Sequence, residues 1–326
     1  MQQPWQDIVI ASTQAQGIGR RETLQSLWSG YGVIERVSLI GAPMASVIVK
    51  RVMPPDASVH SRGWNTARSH ARKLRSYAVE RHWYAGYAIQ CDVSCRVPQV
   101  FAQAHDAERM LLVLEDLDAA GFSQRAASLS VSEIRPCLSW LASFHAKFMG
   151  CKPEGLWPTG TYWHLQTRPD ELHAMTDLRL QRAAGPIDEA LAQCEFQTFV
   201  HGDAKIANFC LSPDGTAVAA VDFQYVGGGC GMKDVAYLLG SCLSEHDCAA
   251  YESALLDDYF AQLRFYLNQG QSPFEVADIE QSWRELFHYA WVDFYRFLQG
   301  WMPHHKKINA YSRSLAEHVL QDLGVD

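Results

Sequence analysis

The chain has 326 residues, 48% of them hydrophobic and 20% charged, with a formal net charge of −8, the profile of a globular protein large enough for two domains or one large two-lobed one. The acidic balance argues against a general nucleic-acid binder, whose affinity rests on neutralising phosphates. No apolar run long enough to cross a membrane is present, and the opening MQQPWQDIVIASTQ has no basic segment ahead of a long apolar core, so a cytoplasmic protein without membrane insertion is expected.

Residues 1–28 read as a strand or short helix followed by a helix from Arg21 to Trp28. Gly17-Ile18-Gly19 starts like a dinucleotide fingerprint, but the sixth position is Glu22 and no dinucleotide fold is supported. After Ser29-Gly30-Tyr31-Gly32 come two β-branched runs, Val33–Ile40 and Ser46–Val52, joined by Gly41-Ala42-Pro43, a hairpin signature. Gly30 and Gly32 would let backbone amides approach phosphates closely. Past Pro54-Pro55, Arg62-Gly63-Trp64-Asn65 leads into a helix to about Tyr87. On it Glu80 shares a face with Tyr77 and Tyr84, where a carboxylate is poorly solvated unless paired. Val100–Ala104 and Met110–Leu114 form a further hairpin ending in Glu115-Asp116-Leu117. The nine cysteines are scattered without a C-x-x-C pair and read as reduced, mostly buried small hydrophobes.

From Ser132, a plausible N-cap, Ile134, Cys137, Leu138, Leu141, His145 and Phe148 follow helical spacing, which makes His145 a core histidine. Residues 151–198 hold two weakly defined helical stretches. Trp157, Tyr162, Trp163 and His164 cluster there, as a substrate-facing loop or a packed cap. Gly227-Gly228-Gly229-Cys230-Gly231 reads as a mobile substrate-side loop, with a phosphate nest as the other reading. The helical C-terminal part carries the stripe Trp283, Leu286, Phe287, Ala290, Trp291, Phe294, Phe297, Leu298 and Trp301. Near it, Asp293 and His304-His305-Lys306-Lys307 are the charges that could read a polar substrate.

The chemistry concentrates between Phe199 and Gln224. His201-Gly202-Asp203-Ala204-Lys205-Ile206-Ala207-Asn208 is an H-x-D-x-K-x-x-N pattern, and after a turn at Asp214-Gly215 an apolar strand reaches Val221-Asp222-Phe223. Moving a γ-phosphoryl group asks the protein to position and neutralise rather than to form covalent bonds. Asp203 would orient or deprotonate the attacking hydroxyl and Lys205 would reach the transferring phosphoryl oxygens. Asn208 and Asp222 supply hard oxygen ligands of the kind Mg²⁺ prefers. His201 fits a scaffold role better than proton transfer.

With Leu112-Val113-Leu114-Glu115-Asp116-Leu117 and Ser143-Phe144-His145-Ala146 upstream, this arrangement resembles the ecdysteroid kinase-like branch of the choline kinase and aminoglycoside phosphotransferase superfamily. The resemblance runs from about Gly30 to the C-terminal helices. It implies an α+β, protein-kinase-like bilobal fold, with a β-rich nucleotide-binding lobe over residues 1–117 and a helical catalytic and substrate-binding lobe over 118–326. ATP and Mg²⁺ would bind between them, and the substrate would be a hydroxyl of a small molecule. Lys50 would then anchor the α/β-phosphates, Glu80 would hold Lys50, and the backbone from Glu115 to Leu117 would face the adenine edge. Asp234 would be a buried structural residue bonded to the catalytic-loop backbone. Trp291 and Tyr295 would be pocket walls, as aromatics are in choline-type members. Lys205 departs from the bulky aromatic frequent at that position in ecdysteroid kinase-like members, so the substrate class does not carry over. The rival readings are a protein kinase, against which Phe223-Gln224 replaces Phe-Gly and no A-P-E follows, and a catalytically silent nucleotide-binding scaffold.

Overall fold

The structure is a computed structural model that describes residues 4–27, 30–54, 67–270 and 273–325. By its contacts the chain divides into two units that are not contiguous in sequence. Met1–Asp92, Arg96–Gln124 and Cys210–Val221 make the first, and Val93–Cys95, Arg125–Phe209 and Asp222–Asp326 make the second.

In the first unit a helix, α1 (Trp5–Thr13), precedes a five-stranded antiparallel sheet of β1 (Gly17–Ser26), β2 (Gly32–Ile40), β3 (Ser46–Val52), β4 (Val100–Asp106) and β5 (Arg109–Glu115), in the order β1-β2-β3-β5-β4. The helix expected from Arg21 is a strand. Residues 17–26 form an exposed edge strand, which needs no apolar alternation, and pairing with β2 overrides local propensity. Charge stitches this edge down: Arg21 on β1 and Arg51 on β3 both bond the Glu35 carboxylate on β2, at 2.7 and 2.6 Å. Val37, Val47, Val49, Leu111 and Val113 bury one face of the sheet together with Val9 of α1. The helix α2 (Ala67–Gly86) connects β3 to the second hairpin. Arg62 to Asn65, expected to lead into it, and Trp28 and Ser29 lie outside the described residues.

The second unit is built on helices. α3 (Arg135–Lys147) packs on α7 (Glu245–Gln269), while α8 (Val276–Trp301) packs against α4 (Pro169–Ala174), α5 (Leu178–Ala192), α6 (Met232–Cys242) and α9 (Ala310–Asp322). α3 starts at Arg135, so Ser132 precedes the helix and does not cap it. Short strands frame the loops: β6 (Thr198–Val200) pairs with β9 (Gly227–Gly229), and β7 (Phe209–Leu211) with β8 (Val218–Ala220). β9 corrects the reading of its glycines as a mobile loop or phosphate nest. The three are buried and laddered to β6, and a Cβ on Gly227 would lie 2.2 Å from the Trp157 carbonyl oxygen. They are glycines because two backbones pass too close for side chains.

All nine cysteines are free thiols. No described helix is long and apolar enough to cross a membrane.

Candidate active site

In the first unit, the β3 register places Lys50 opposite Leu112 on β5, with its side chain buried. A buried ammonium requires a counter-charge. Glu80 supplies it from α2, its two carboxylate oxygens 2.9 and 2.7 Å from Lys50 Nζ. Tyr77 and Tyr84 flank Glu80 on the same helix and are each 3% exposed, so the shared face read from the sequence is the buried one.

Gly30 lies in the connection from β1 to β2, and Gly32 is the first residue of β2. Gly30 has φ +76° and open space around it. Gly32 has a structural reason of its own: at φ +141° it opens β2 opposite Val52, and a Cβ there would sit 1.9 Å from the Arg51 carbonyl oxygen. At the end of β5, the Glu115 side chain bonds Arg96 and the Gln99 amide, and its own backbone N–H donates to Gln99. The Leu117 side chain packs with Cys210 and Ala219. Its carbonyl accepts from the Phe122 amide, whereas its N–H donates to no acceptor among the described residues.

The second unit assembles the motif residues on a loop after β6. Gly202 sets its path: at φ +77°, with a Cβ position 2.1 Å from the Tyr225 carbonyl oxygen, only glycine fits. Asp234, in the first turn of α6, fixes the loop. Its carboxylate accepts the backbone N–H groups of His201 and Gly202 and also meets His145 Nε2 at 3.2 Å, while His145 Nδ1 bonds the Tyr259 hydroxyl. His145 and Asp234 are thus buried supports, as the sequence indicated. His201 is a scaffold residue whose Nδ1 accepts from the Asp203 amide at 3.2 Å. Below the loop, the Phe223 ring lies tilted 4.6 Å from the His201 ring, and Phe148 stacks 4.8 Å from Phe199.

On this support Asp203 is 5% exposed. Its Oδ2 accepts from Lys205 Nζ at 2.8 Å and from Asn208 Nδ2 at 3.0 Å, while Oδ1 is buried with no hydrogen-bond partner. Burial raises the pKa of Asp203, with Asp222 acting the same way and Lys205 opposing. For Lys205 burial works downward, but the Asp203 carboxylate outweighs it and the ammonium is held above its ordinary value. Asn208 spends its amide N–H groups on Asp203, through the backbone carbonyl at 2.8 Å and the carboxylate. That fixes which way the amide faces and leaves its carbonyl oxygen as the available ligand. Asp222 holds left-handed backbone at φ +69°, a conformation a non-glycine residue keeps only where its surroundings enforce it, and Gln224 Nε2 bonds its Oδ1 at 2.6 Å. The Asn208 amide carbonyl and the Asp222 carboxylate are hard oxygen donors of the kind that fits Mg²⁺.

Three residues expected to face the substrate are buried. Trp291 and Tyr295 line, together with Lys307, a cavity of about 20 Å³, room for roughly one water molecule. Asp293 is fully buried, bonded to Arg296 at 2.6 Å and Trp163 Nε1 at 2.9 Å, with Lys233 at 3.7 Å, and reads no substrate. Trp163 is likewise fully buried, so that segment is packed. Of the four basic residues the sequence offered as readers of a polar substrate, Lys307 has its ammonium 4.5 Å from the Tyr237 ring centre and 5.1 Å from that of Phe294.

Several known proteins are similar to this chain. The family DUF1679, described as "Uncharacterized oxidoreductase dhs-27", matches residues 173–320, a segment that contains His201 to Asn208 and Asp222. The dinucleotide fingerprint an oxidoreductase would call for is not met where the sequence comes nearest to it, since Gly17 and Gly19 lie within β1. No curated protein matches. Among solved structures, a microcompartment-associated aminopropanol kinase superposes with a TM-score of 0.53 at 16% identity, over 98% of this chain and 99% of that one. Ethanolamine kinase from Plasmodium vivax superposes with a TM-score of 0.51 at 10% identity, over 92% and 81%. The fold is protein-kinase-like. Its mixed α/β character, with a five-stranded antiparallel sheet followed by a helical unit, is that of the small-molecule kinases it superposes on.

Proposed function

We propose that the protein is an ATP- and Mg²⁺-dependent phosphotransferase acting on a hydroxyl of a small molecule. The observation that carries this reading is Asp203. It is a buried carboxylate with a raised pKa, one oxygen tied to Lys205 and Asn208 and the other without a partner. A structural carboxylate satisfies both oxygens, and one oxygen left open is what a group that must meet a reacting hydroxyl requires.

In this reading the acceptor hydroxyl donates to Asp203 Oδ1. As the new O–P bond forms and the bond from the γ-phosphorus to the ADP oxygen breaks, the hydroxyl proton passes to Asp203. The raised pKa makes Asp203 a stronger base than an ordinary aspartate. Lys205 neutralises charge on the transferring group. Asn208, through its amide carbonyl, and Asp222 would hold Mg²⁺, which supplies charge neutralisation at the phosphate oxygens when bound. In the first unit, Lys50 held by Glu80 would contact the nucleotide phosphates, and the unbonded Leu117 N–H, with Cys210 and Ala219 beneath its side chain, would receive the base. The Gly30 turn leaves room for a phosphate and Gly32 keeps the strand beside it in register.

Thermal unfolding with ATP, with and without Mg²⁺, is the first test, because a ligand bound by the folded state raises the midpoint. The expected result is a metal-dependent rise that Asp222→Asn removes, followed by ADP release with small alcohols. No rise at millimolar nucleotide would refute the reading.

A further inference from the structure

Lys307, between α8 and α9, is a cation without an anion among the described residues. Its ammonium lies over the faces of Tyr237 and Phe294. Those rings belong to an aromatic group in which Tyr237 packs 4.7 Å from Phe294 and 4.9 Å from Trp163, and its hydroxyl meets that of Tyr162 at 3.1 Å. Among the described residues, Lys307 forms no ion pair and its ammonium no hydrogen bond. The fully buried lysines differ: Lys50 has Glu80 and Lys233 has Asp293. Burial lowers the pKa of Lys307 to about 8, with Asp203 close enough to oppose that fall and Lys205 close enough to add to it. Asp203 is not its partner: no ion pair or hydrogen bond joins the two, and the bonded Asp203 oxygen carries Lys205 and Asn208.

We infer that Lys307 is the anion-reading residue of the acceptor site and that the acceptor is an alcohol bearing its own carboxylate or phosphate. This rests on the phosphotransferase reading of Asp203. Aromatic faces of this kind would ordinarily receive a substrate ammonium, but here the protein's own ammonium occupies them. A cationic alcohol placed against these rings would meet a like charge, whereas an anionic one would give Lys307 the partner it lacks while its hydroxyl lies toward Asp203.

The test uses the full chain and four probes: glycerate, glycerol 3-phosphate, glycerol and ethanolamine. Each is assayed for ADP release with ATP and Mg²⁺ and, independently of turnover, for its effect on the unfolding midpoint. The expected result is that at least one anionic probe binds, that ethanolamine does not, and that Lys307→Met weakens the anionic probe about 10- to 100-fold, the range for a lost charge-assisted contact. The KM for ATP stays where it was, and Lys307→Arg restores most of the loss. Whichever of glycerate and glycerol 3-phosphate binds tells carboxylate from phosphate. Preference for ethanolamine, absence of binding by both anions at millimolar concentration, or a Lys307→Met defect in the KM for ATP would overturn the inference. Failure of the phosphotransferase reading is a separate result, seen as no Mg²⁺-dependent ATP shift in the unaltered protein.

Discussion

Two buried charge clusters of the second unit have opposite characters. Around Asp293, burial works to raise the carboxylate, but Arg296 and Lys233 outweigh it and its pKa falls. Around Asp203, burial wins and the pKa rises, although Lys205 is 2.8 Å away. Both carboxylates are buried, Asp203 with 5% exposure and Asp293 completely, and the deeper one has the lower pKa, so depth does not explain the difference. Partners do: Asp293 has two cations and an indole N–H on its oxygens, while Asp203 keeps one oxygen unbonded. The first cluster spends its charges on holding helices, and the second leaves an oxygen and, at Lys307, an ammonium for something outside the chain.

The sharpest way to break this contrast is Asp203→Asn. Turnover should fall by roughly 10²- to 10³-fold or more, the scale for a missing catalytic base or charge contact, and the unfolding midpoint should not drop. A drop of several degrees with activity retained would make Asp203 structural after all. The mirror experiment is Asp293→Ala, which strands Lys233 and Arg296 and should cost about 3–5 kcal/mol, a fall of roughly 10 °C in midpoint for a domain of this size. Gly202→Ala should cost about 2–4 kcal/mol and abolish turnover, because its Cβ has no room beside the Tyr225 carbonyl at φ +77°; calorimetry on the purified variant reads the first quantity.

Lys307→Met is the smallest effect and points the other way. With the folded pKa near 8 and the unfolded one about 10.4, the charged form is penalised on folding. The penalty is full below pH 8 and disappears as pH rises toward the unfolded value. The variant should therefore be more stable than the parent by about 1–3 kcal/mol at pH 7, with the gap closing between pH 8 and 10. Asp203 and the Cys242 thiol hold the Lys307 pKa up while Lys205 and Lys306 push it down, so their effect on the ammonium is already contained in its value near 8. A variant less stable than the parent across this range would make Lys307 a structural residue.

The sequence made the Asp203 loop legible because its residues lie within one short segment whose spacing is set by a local turn. The Lys50–Glu80 pair was also readable: Glu80 on an aromatic helix face needed an opposite charge, and the family resemblance pointed to Lys50 on the strand. β1 was not, because an edge strand is specified by its neighbour β2 and by Arg21 reaching Glu35, which no window of local sequence contains. The sequence offered His304 to Lys307 together as charges that could read a polar substrate, without singling out Lys307. In a run of four basic residues nothing marks one of them, and its character comes from Tyr237 and Phe294 far away in the chain. Asp293 was misread for the converse reason: a charge on an apolar stripe looks available until Arg296, Lys233 and Trp163 are seen around it.

The short hairpin β7–β8 carries a consequence for dissecting this protein. Cys210–Val221 belongs by contacts to the first unit, although the chain reaches it only after the Asp203 loop. A gene truncated after residue 124 would encode the five-stranded sheet without Cys210 and Ala219 beneath Leu117, and without the Arg96–Ala219 and Gln124–Leu211 bridges. Such a fragment would report on a missing floor rather than on an independent module, and faithful separation would need residues 210–221 grafted back by a linker.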